Sequence, residues 1–196
     1  MNSQHATPAA AQAVPAGQVR HLVIVLGDQL DEQSSAFDGF DAQLDAVWMA
    51  EVTEESTHVW SAKQRITVFL SCMRHFAAAL RLRGWTVHYT QLDDASNRGT
   101  LAAELQNAID TLKPEGLVMT APGDWRVLQS LRAVAKASNQ TIDIRDDRNF
   151  FSTVREFAAH AEGRNQLRLE YWYRELRKKK WHFDGGRRAG RRAMEF

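Results

Sequence analysis

The chain has 196 residues, of which 44% are hydrophobic and 25% charged, values typical of one ordinary globular domain. No apolar run approaches the roughly 20 residues that cross a bilayer, and the stretch before Arg20 lacks Lys and Arg and contains Pro8 and Pro15, unlike a secretory signal peptide. A single cysteine, Cys72, excludes an internal disulfide and a multi-cysteine metal or iron–sulfur site. From these observations together we expect a soluble, cytoplasmic protein without membrane contacts.

The predicted elements begin after residue 19. Residues 1–19 are rich in Ala, Gln and Pro and show no periodicity, so we predict that they are disordered. Beyond them, apolar strand-like runs alternate with helical periods. The predicted strands are His21 to Leu26, Ala46 to Val52, Trp85 to Leu92, Gly116 to Thr120 and Thr141 to Ile144. Four of the five are nearly continuous apolar runs, which is typical of a parallel sheet covered on both faces.

Three predicted helices connect these strands. The longest covers about 61–83, with apolar residues recurring at three and four positions and Gly84 as a stop. The second begins near Thr100 and ends at Lys113–Pro114, and the third carries an apolar stripe over 128–135. Right-handed crossovers then predict an α/β fold: a Rossmann-like, doubly wound, five-stranded parallel sheet in the order 3-2-1-4-5 with helices on both faces.

The candidate ligand site follows from that topology. In doubly wound sheets a ligand lies outside the carboxyl ends of the strands, where the strand order reverses. The residues that follow strand 1 are Gly27, Asp28 and Gln29, strand 2 is followed by Glu51, and strand 4 by residues 122–125. These are the candidate pocket residues.

The chemistry of these residues favours a neutral ligand. The sequence GDQL at 27–30 is neither a dinucleotide fingerprint nor a Walker A loop. Carboxylates at Asp28 and Glu51 would repel a phosphate, but they accept hydrogen bonds from sugar hydroxyls or ring N–H groups. We therefore predict a neutral heterocycle that bears a polyol chain. The alternative is that Asp28 caps the next helix and Glu51 is paired at the surface.

No other part of the sequence indicates a reaction centre. The seven histidines lack metal-ligand spacing, so we predict neither a metal site nor a catalytic residue in this chain. The mixed charges of 145–148 indicate a salt-bridge network that stabilises the fold. Trp48, Trp85 and Trp125 are predicted to pack around the edges of the sheet.

Six segments, in this order, carry a resemblance to a known family. They are LVIVLGDQL at 22–30, AEV at 50–52, FLSCMRHFAAAL at 69–80, APGDWRV at 121–127, IRDDRNFFS at 144–152 and LEYWYRELRKK at 169–179. Together they resemble the deoxyribodipyrimidine photolyase-related proteins, the bacterial iron–sulfur branch of the photolyases and cryptochromes.

This resemblance implies a domain organisation and a ligand. Residues 20–163 would form the N-terminal antenna domain, which in that family holds a light-harvesting chromophore, usually 6,7-dimethyl-8-ribityllumazine. Gly27 and Asp28 would line its pocket, Glu51 would hold the ribityl chain or the ring edge, and Gln29 is a weaker candidate. In full-length relatives a second, helical domain binds FAD and a four-iron cluster and splits pyrimidine photoproducts in DNA under blue light.

The resemblance stops near Lys179. Residues 164–180 would be the linker helix toward an FAD domain, and 181–196 form a basic tail in place of the expected Leu-rich stretch. We therefore expect a truncated, light-harvesting part that is not catalytic alone. One alternative is a stand-alone small-molecule or flavin-binding α/β module that acts through protein interaction by the 167–180 helix. Another is weak DNA binding through the nine Lys and Arg of 174–192.

Overall fold

A computed structural model describes residues 19–183, the last four as backbone only. The predicted disordered segment 1–19, apart from the buried Val19, and the predicted basic tail 181–196, apart from the backbone of 181–183, lie outside the described residues. The chain divides into two compact units, Met1–Asp147 and Arg148–Phe196. No helix within 19–183 is both long and apolar enough to span a membrane.

The first unit is built on a five-stranded sheet. Its strands are β1 (His21–Ile24), β2 (Ala46–Ala50), β3 (Val87–Thr90), β4 (Gly116–Thr120) and β5 (Ile142–Arg145). Every pairing is parallel and the order is β3-β2-β1-β4-β5, with Val23 of β1 in register with Val47 of β2 and Val118 of β4. The predicted doubly wound sheet and its strand order are confirmed.

The helices include the three that the apolar periodicity predicts between the strands. They are α1 (Thr53–Thr57), α2 (Lys63–Leu82), α3 (Leu101–Leu112) and α4 (Trp125–Ala137) in the first unit, and α5 (Val154–Ala161) and α6 (Leu169–Phe183) in the second. After α2 the chain turns at Gly84, whose φ of +82° favours glycine. The Thr100 hydroxyl caps α3 by accepting from the Ala103 amide at 3.2 Å.

Two apolar layers cover the two faces of the sheet. On one face α3 and α4 pack against alternate strand residues, and the buried side chains include Leu22, Ile24, Trp48, Leu105, Met119 and Leu131. On the other face α2 packs against the remaining strand residues, and the buried side chains include Val23, Val47, Met49, Met73, Ala77 and Leu80. Because β1, β2 and β4 are buried on both faces, their sequences are almost wholly apolar.

The prediction that the three tryptophans pack around the edges of the sheet holds for Trp85, which precedes the edge strand β3 and whose ring packs 4.2 Å from the Phe40 ring, centroid to centroid. Trp48 is fully buried, but on the inner strand β2 rather than at an edge. The prediction for Trp125 is wrong, because its side chain is 68% exposed at the first position of α4. At that position the helix period turns the side chain away from the stripe of Val127 and Leu131, which packs on the sheet.

The charged segment after β5 stabilises the fold in a way the sequence did not indicate. Arg145 donates to the carbonyls of Ser35 and Asp38 at 2.8 and 2.9 Å and pairs with the Asp143 carboxylate at 2.8 Å. The guanidinium therefore holds the 3₁₀ turn at Ser35–Phe37 against the edge of the sheet. The stabilising role predicted for this segment is confirmed for Arg145, with backbone carbonyls as its principal partners.

The second unit contains the α5–α6 pair. The α5 helix begins with a capping box, in which Thr153 and Glu156 each bond the backbone amide of the other. The rings of Phe157 and His160 pack against Trp172 of α6. His160 is buried, and its Nδ1 lies 2.8 Å from a carboxylate oxygen of Glu175. These contacts hold the two helices together.

Candidate functional site

A cavity of about 340 Å³ lies at the carboxyl ends of β1, β2 and β4. Small-molecule sites occupy about 300–1,000 Å³, so this cavity accommodates a compact ligand. Its apolar lining comes from strand ends and from helices on both faces of the sheet and includes Leu26, Ala50, Val52, Phe69, Met73, Leu101 and Val127. Its polar lining includes Asp28, Glu51, Glu55, Ser56, Arg65, Asp124 and Arg126. The site is where the topology predicted it.

Gly27 lines the cavity where the backbone passes close to α2. A Cβ atom at this position would lie 2.5 Å from Cζ of Phe69 and 2.8 Å from Sδ of Met73, closer than real contacts allow. A glycine is therefore required for Phe69 and Met73 to take their observed positions. The residue shapes the wall of the cavity rather than contributing a functional group.

Asp28 offers the cavity a carboxylate that has no side-chain partner within residues 19–183. Burial raises the pKa of Asp28, and the neighbouring carboxylates Glu55, Asp124 and Asp147 raise it further, while its own backbone amide opposes them. The carboxylate does not cap a helix, since the following 3₁₀ turn is capped by Ser34. Asp28 is thus an acceptor available to a ligand.

Gln29 has a structural role at the same edge of the sheet. Its side-chain amide donates to the carbonyls of Ala121 and Thr120 at 2.9 and 3.4 Å. This bridge ties the loop after β1 to the end of β4. Gln29 is not among the residues that line the cavity.

Glu51 lines the cavity, but its carboxylate is occupied by the protein itself. Both oxygens accept from the Arg74 guanidinium at 2.8 Å, the Leu92 amide donates at 2.8 Å, and the Tyr89 hydroxyl donates to Oε1. The side chain is 0% exposed, whereas that of Arg74 is 43% exposed. Glu51 is therefore neither a surface ion pair nor an unpaired acid, and it joins β2, α2 and the end of β3.

These partners determine the charge state of Glu51. Burial raises the pKa of Glu51, but hydrogen bonds from Arg74, Tyr89 and Leu92 lower it by more, so the pKa lies below the ordinary value of 4.5. Because the folded state lowers this pKa, the stabilising contribution is present above the unfolded value and is lost as the pH falls through the folded value.

We expect acid to weaken the wild-type fold through this group. In urea titrations at several pH values, the free energy of unfolding should fall between about pH 5 and pH 3. Glu51→Gln should be less stable at neutral pH but show a shallower fall over the same range. Some slope should persist in the variant, because hydrogen bonds from Arg20 also leave the pKa of Asp45 below its ordinary value. Equal slopes for both proteins would contradict the assignment.

The residues of α1 and of the start of α4 that form the rim of the cavity were not predicted from the sequence. Glu55 and Ser56 of α1 line the cavity, as does Arg126 of α4. The available signal was the acidic first turn Thr53-Glu54-Glu55 directly after a strand, which is typical of a helix start. A five-residue helix with no buried side chain shows no apolar period, so periodicity could not find it.

Of the segment after β4, Pro122 and Asp124 line the cavity, whereas Gly123 does not. Asp124 also caps α4, since its Oδ1 accepts from the Arg126 amide at 2.7 Å. The structure therefore brings together Gly27, Asp28, Glu51, Pro122 and Asp124 and leaves Gln29, Gly123 and Trp125 outside the lining.

Comparison with known proteins agrees with this architecture. Residues 23–181 match the sequence profile of the family described as deoxyribodipyrimidine photo-lyase-related protein. The chain is also 41% identical over 180 residues to a protein of Agrobacterium fabrum (strain C58 / ATCC 33970) named (6-4) photolyase. That alignment covers 85% of this chain and 36% of the relative, so the chain spans about a third of the relative's length. The match over most of its residues shows that the chain belongs to the deoxyribodipyrimidine photo-lyase-related protein family.

Proposed function

We propose that the α/β unit holds a light-harvesting chromophore, 6,7-dimethyl-8-ribityllumazine, and serves as the antenna part of a photolyase-family protein. The observation that carries this proposal is the cavity at the carboxyl edge of the sheet, which combines apolar walls with the unpartnered carboxylate of Asp28. Such a combination is typical of sites that bind small organic molecules, where a few polar groups fix the orientation of an otherwise apolar ligand.

The lining residues fit the two chemical parts of a ribityllumazine. Its flat bicyclic ring matches the apolar walls, to which Leu26 and Val52 contribute from the strand ends and Leu101 and Val127 from α3 and α4. Its ribityl hydroxyls are donors for the Asp28 carboxylate. When bound, a lumazine absorbs near-ultraviolet and violet light, and this would be its contribution to the protein.

Two predicted site residues take supporting roles in this proposal. Glu51 acts through Arg74 and Tyr89 by fixing the wall of the cavity, since its own oxygens already accept four hydrogen bonds. Gln29 acts through the Ala121 carbonyl by fixing the loop after β1. Both are positioning residues, while Asp28 is the residue we propose to contact the ribityl chain.

The repair chemistry is proposed for the family rather than for these residues. Light-driven cleavage of pyrimidine photoproducts needs a reduced flavin held beside DNA, and the resemblance implies that the FAD and iron–sulfur sites belong to the helical domain of full-length relatives. The relative named (6-4) photolyase is aligned over 36% of its length. We therefore propose light collection for the α/β unit.

Fluorescence titration with 6,7-dimethyl-8-ribityllumazine tests the proposal. We expect saturable binding to the wild type and about tenfold weaker binding to Asp28→Ala, because a hydrogen bond to a charged group contributes about 1.5–3 kcal/mol. Asp110→Ala on the exposed side of α3 is the matched control and should bind like the wild type. No saturable binding, or equal affinity of Asp28→Ala and Asp110→Ala, would reject the proposed pocket.

A second candidate function is a binding module that docks another protein through α6. The observation in its favour is the exposure of Leu169, Tyr171 and Tyr173 on that helix. The absorbance spectrum of the purified protein separates the two candidates. A near-ultraviolet or violet band from a bound lumazine supports the antenna, whereas a colourless protein that fails to take up added lumazine supports the docking module.

A further inference from the structure

We infer that the mouth of the cavity is a charge filter, formed by the lining residues Glu55, Asp124 and Arg126 with Glu54 beside them, that admits an unphosphorylated ribityl heterocycle and rejects its 5′-phosphate. This inference rests on the proposed chromophore pocket and identifies the residues that select its ligand. The geometry comes from two elements that meet at the rim, α1 after β2 and the start of α4 after β4.

The Arg126 guanidinium forms ion pairs with three carboxylates at this rim. Arg126 Nη2 lies 2.8 Å from Glu55 and 3.4 Å from Asp124, and Nη1 lies 3.5 Å from Glu54. A single positive charge cannot neutralise three negative ones, so the cluster keeps an excess of negative charge. Both Nη groups of Arg126 are directed at these carboxylates, and its buried Nε has no hydrogen-bond partner among the described residues. The guanidinium therefore offers a phosphate one donor rather than the two-pronged pair that binds phosphates best.

The helix start that could bind an anion is also occupied. The N-terminus of α4 lies at the cavity, and exposed amides at such a position attract phosphates. Here the Asp124 carboxylate accepts from the Arg126 amide at 2.7 Å, so the protein supplies its own anion. A phosphate arriving at this point would meet a carboxylate instead of free N–H groups.

The remaining charges inside the cavity do not reverse the balance. Asp28 adds a further carboxylate, and Arg74 is paired with Glu51. Among the described residues of the lining, Arg65 is the cation without a carboxylate partner, and it lies near the start of α2, which has no side-chain cap. Arg65 is exposed, as are Glu55 and Asp124, so water and salt screen all three charges. With Glu51 paired, the carboxylates of Asp28, Glu55 and Asp124 outnumber the guanidiniums of Arg65 and Arg126 in the lining, so a ligand meets an excess of negative charge.

Two pairs of probes that differ by one phosphate test the filter: 6,7-dimethyl-8-ribityllumazine with its 5′-phosphate, and riboflavin with FMN. For the wild type at low salt we expect each phosphorylated compound to bind about tenfold more weakly than its partner. The difference should shrink as sodium chloride is added, since salt screens the repulsion.

Two variants locate the effect. Glu55→Gln should reduce the ratio of the two affinities within each pair of probes about fivefold, because it removes one repulsive charge. Glu115→Gln removes the same charge from an exposed position outside the lining and should leave that ratio unchanged. The melting temperature of each variant verifies that it is folded.

The outcomes separate the filter from the pocket. Equal affinity for both members of a pair would show that the rim does not select against phosphate, and the proposed ligand pocket would still be supported by the binding itself. Tighter binding of the phosphates, lost in Arg65→Ala, would show instead a phosphate site at the start of α2. Failure of both unphosphorylated probes to bind would overturn the filter together with the proposed function.

Discussion

Arg74→Ala is expected to lower the free energy of unfolding by about 3 kcal/mol, because it leaves the Glu51 carboxylate buried without its cation. Glu51 is fully buried, so water cannot replace the two hydrogen bonds from the guanidinium. For a domain of this size the melting temperature should fall by about 10 °C. Urea denaturation and a thermal melt measure both quantities.

Two further variants establish the cause. Arg132→Ala removes an exposed guanidinium of α4 that has no hydrogen bond or ion pair within the described part of the chain, and it should change stability by less than about 0.5 kcal/mol. Arg74→Lys keeps the charge but loses the two-pronged geometry, so it should fall between the wild type and Arg74→Ala. If Arg74→Ala were as stable as Arg132→Ala, the fold would not need Arg74 to stabilise the buried Glu51 carboxylate.

Gly27→Val is expected to weaken chromophore binding more than tenfold and to destabilise the fold by about 1–3 kcal/mol. The first side-chain carbon would overlap the Phe69 ring and the Met73 sulfur. Met73 is buried and cannot yield, so Phe69 must move and change the shape of the cavity. Fluorescence titration and urea denaturation measure the two effects.

Gly123→Val is the matched control for Gly27→Val. Gly123 lies at the same edge of the sheet, but a Cβ atom there would meet nothing within 4 Å. We expect the control to keep wild-type stability and affinity. Loss of binding in both variants, or in neither, would show that the close approach of Gly27 to α2 does not shape the ligand site.

The fold could be predicted from sequence because its signals are local. The buried strands β2 and β4 consist of apolar residues except for Thr120 at the end of β4, and Gly84 supplies the φ of +82° that ends α2. The strand order then followed from the handedness of crossover connections, a constraint that holds for all such sheets. The position of the cavity followed from the same topology.

The partners within the site could not be predicted because they depend on non-local geometry. Arg74 lies 23 positions and Tyr89 lies 38 positions from Glu51, and they meet it only through the rotation of α2 and the register of β3. The sequence therefore indicated Glu51 as an acid near a ligand but not that its oxygens are occupied. The shared Arg126 at the rim was missed for the same reason, since its carboxylates come from α1 and from its own loop.

The walls of the cavity have a thermodynamic consequence for the two apolar layers. Met73 belongs to the layer beneath α2, while Leu101 and Val127 belong to the layer formed with α3 and α4. A molecule held in the cavity touches both layers at once, so occupancy opposes the opening of either one. Amide hydrogens of α2 and α4 should then exchange more slowly together as ligand is added, which makes the first unit a single cooperative block only when its site is filled.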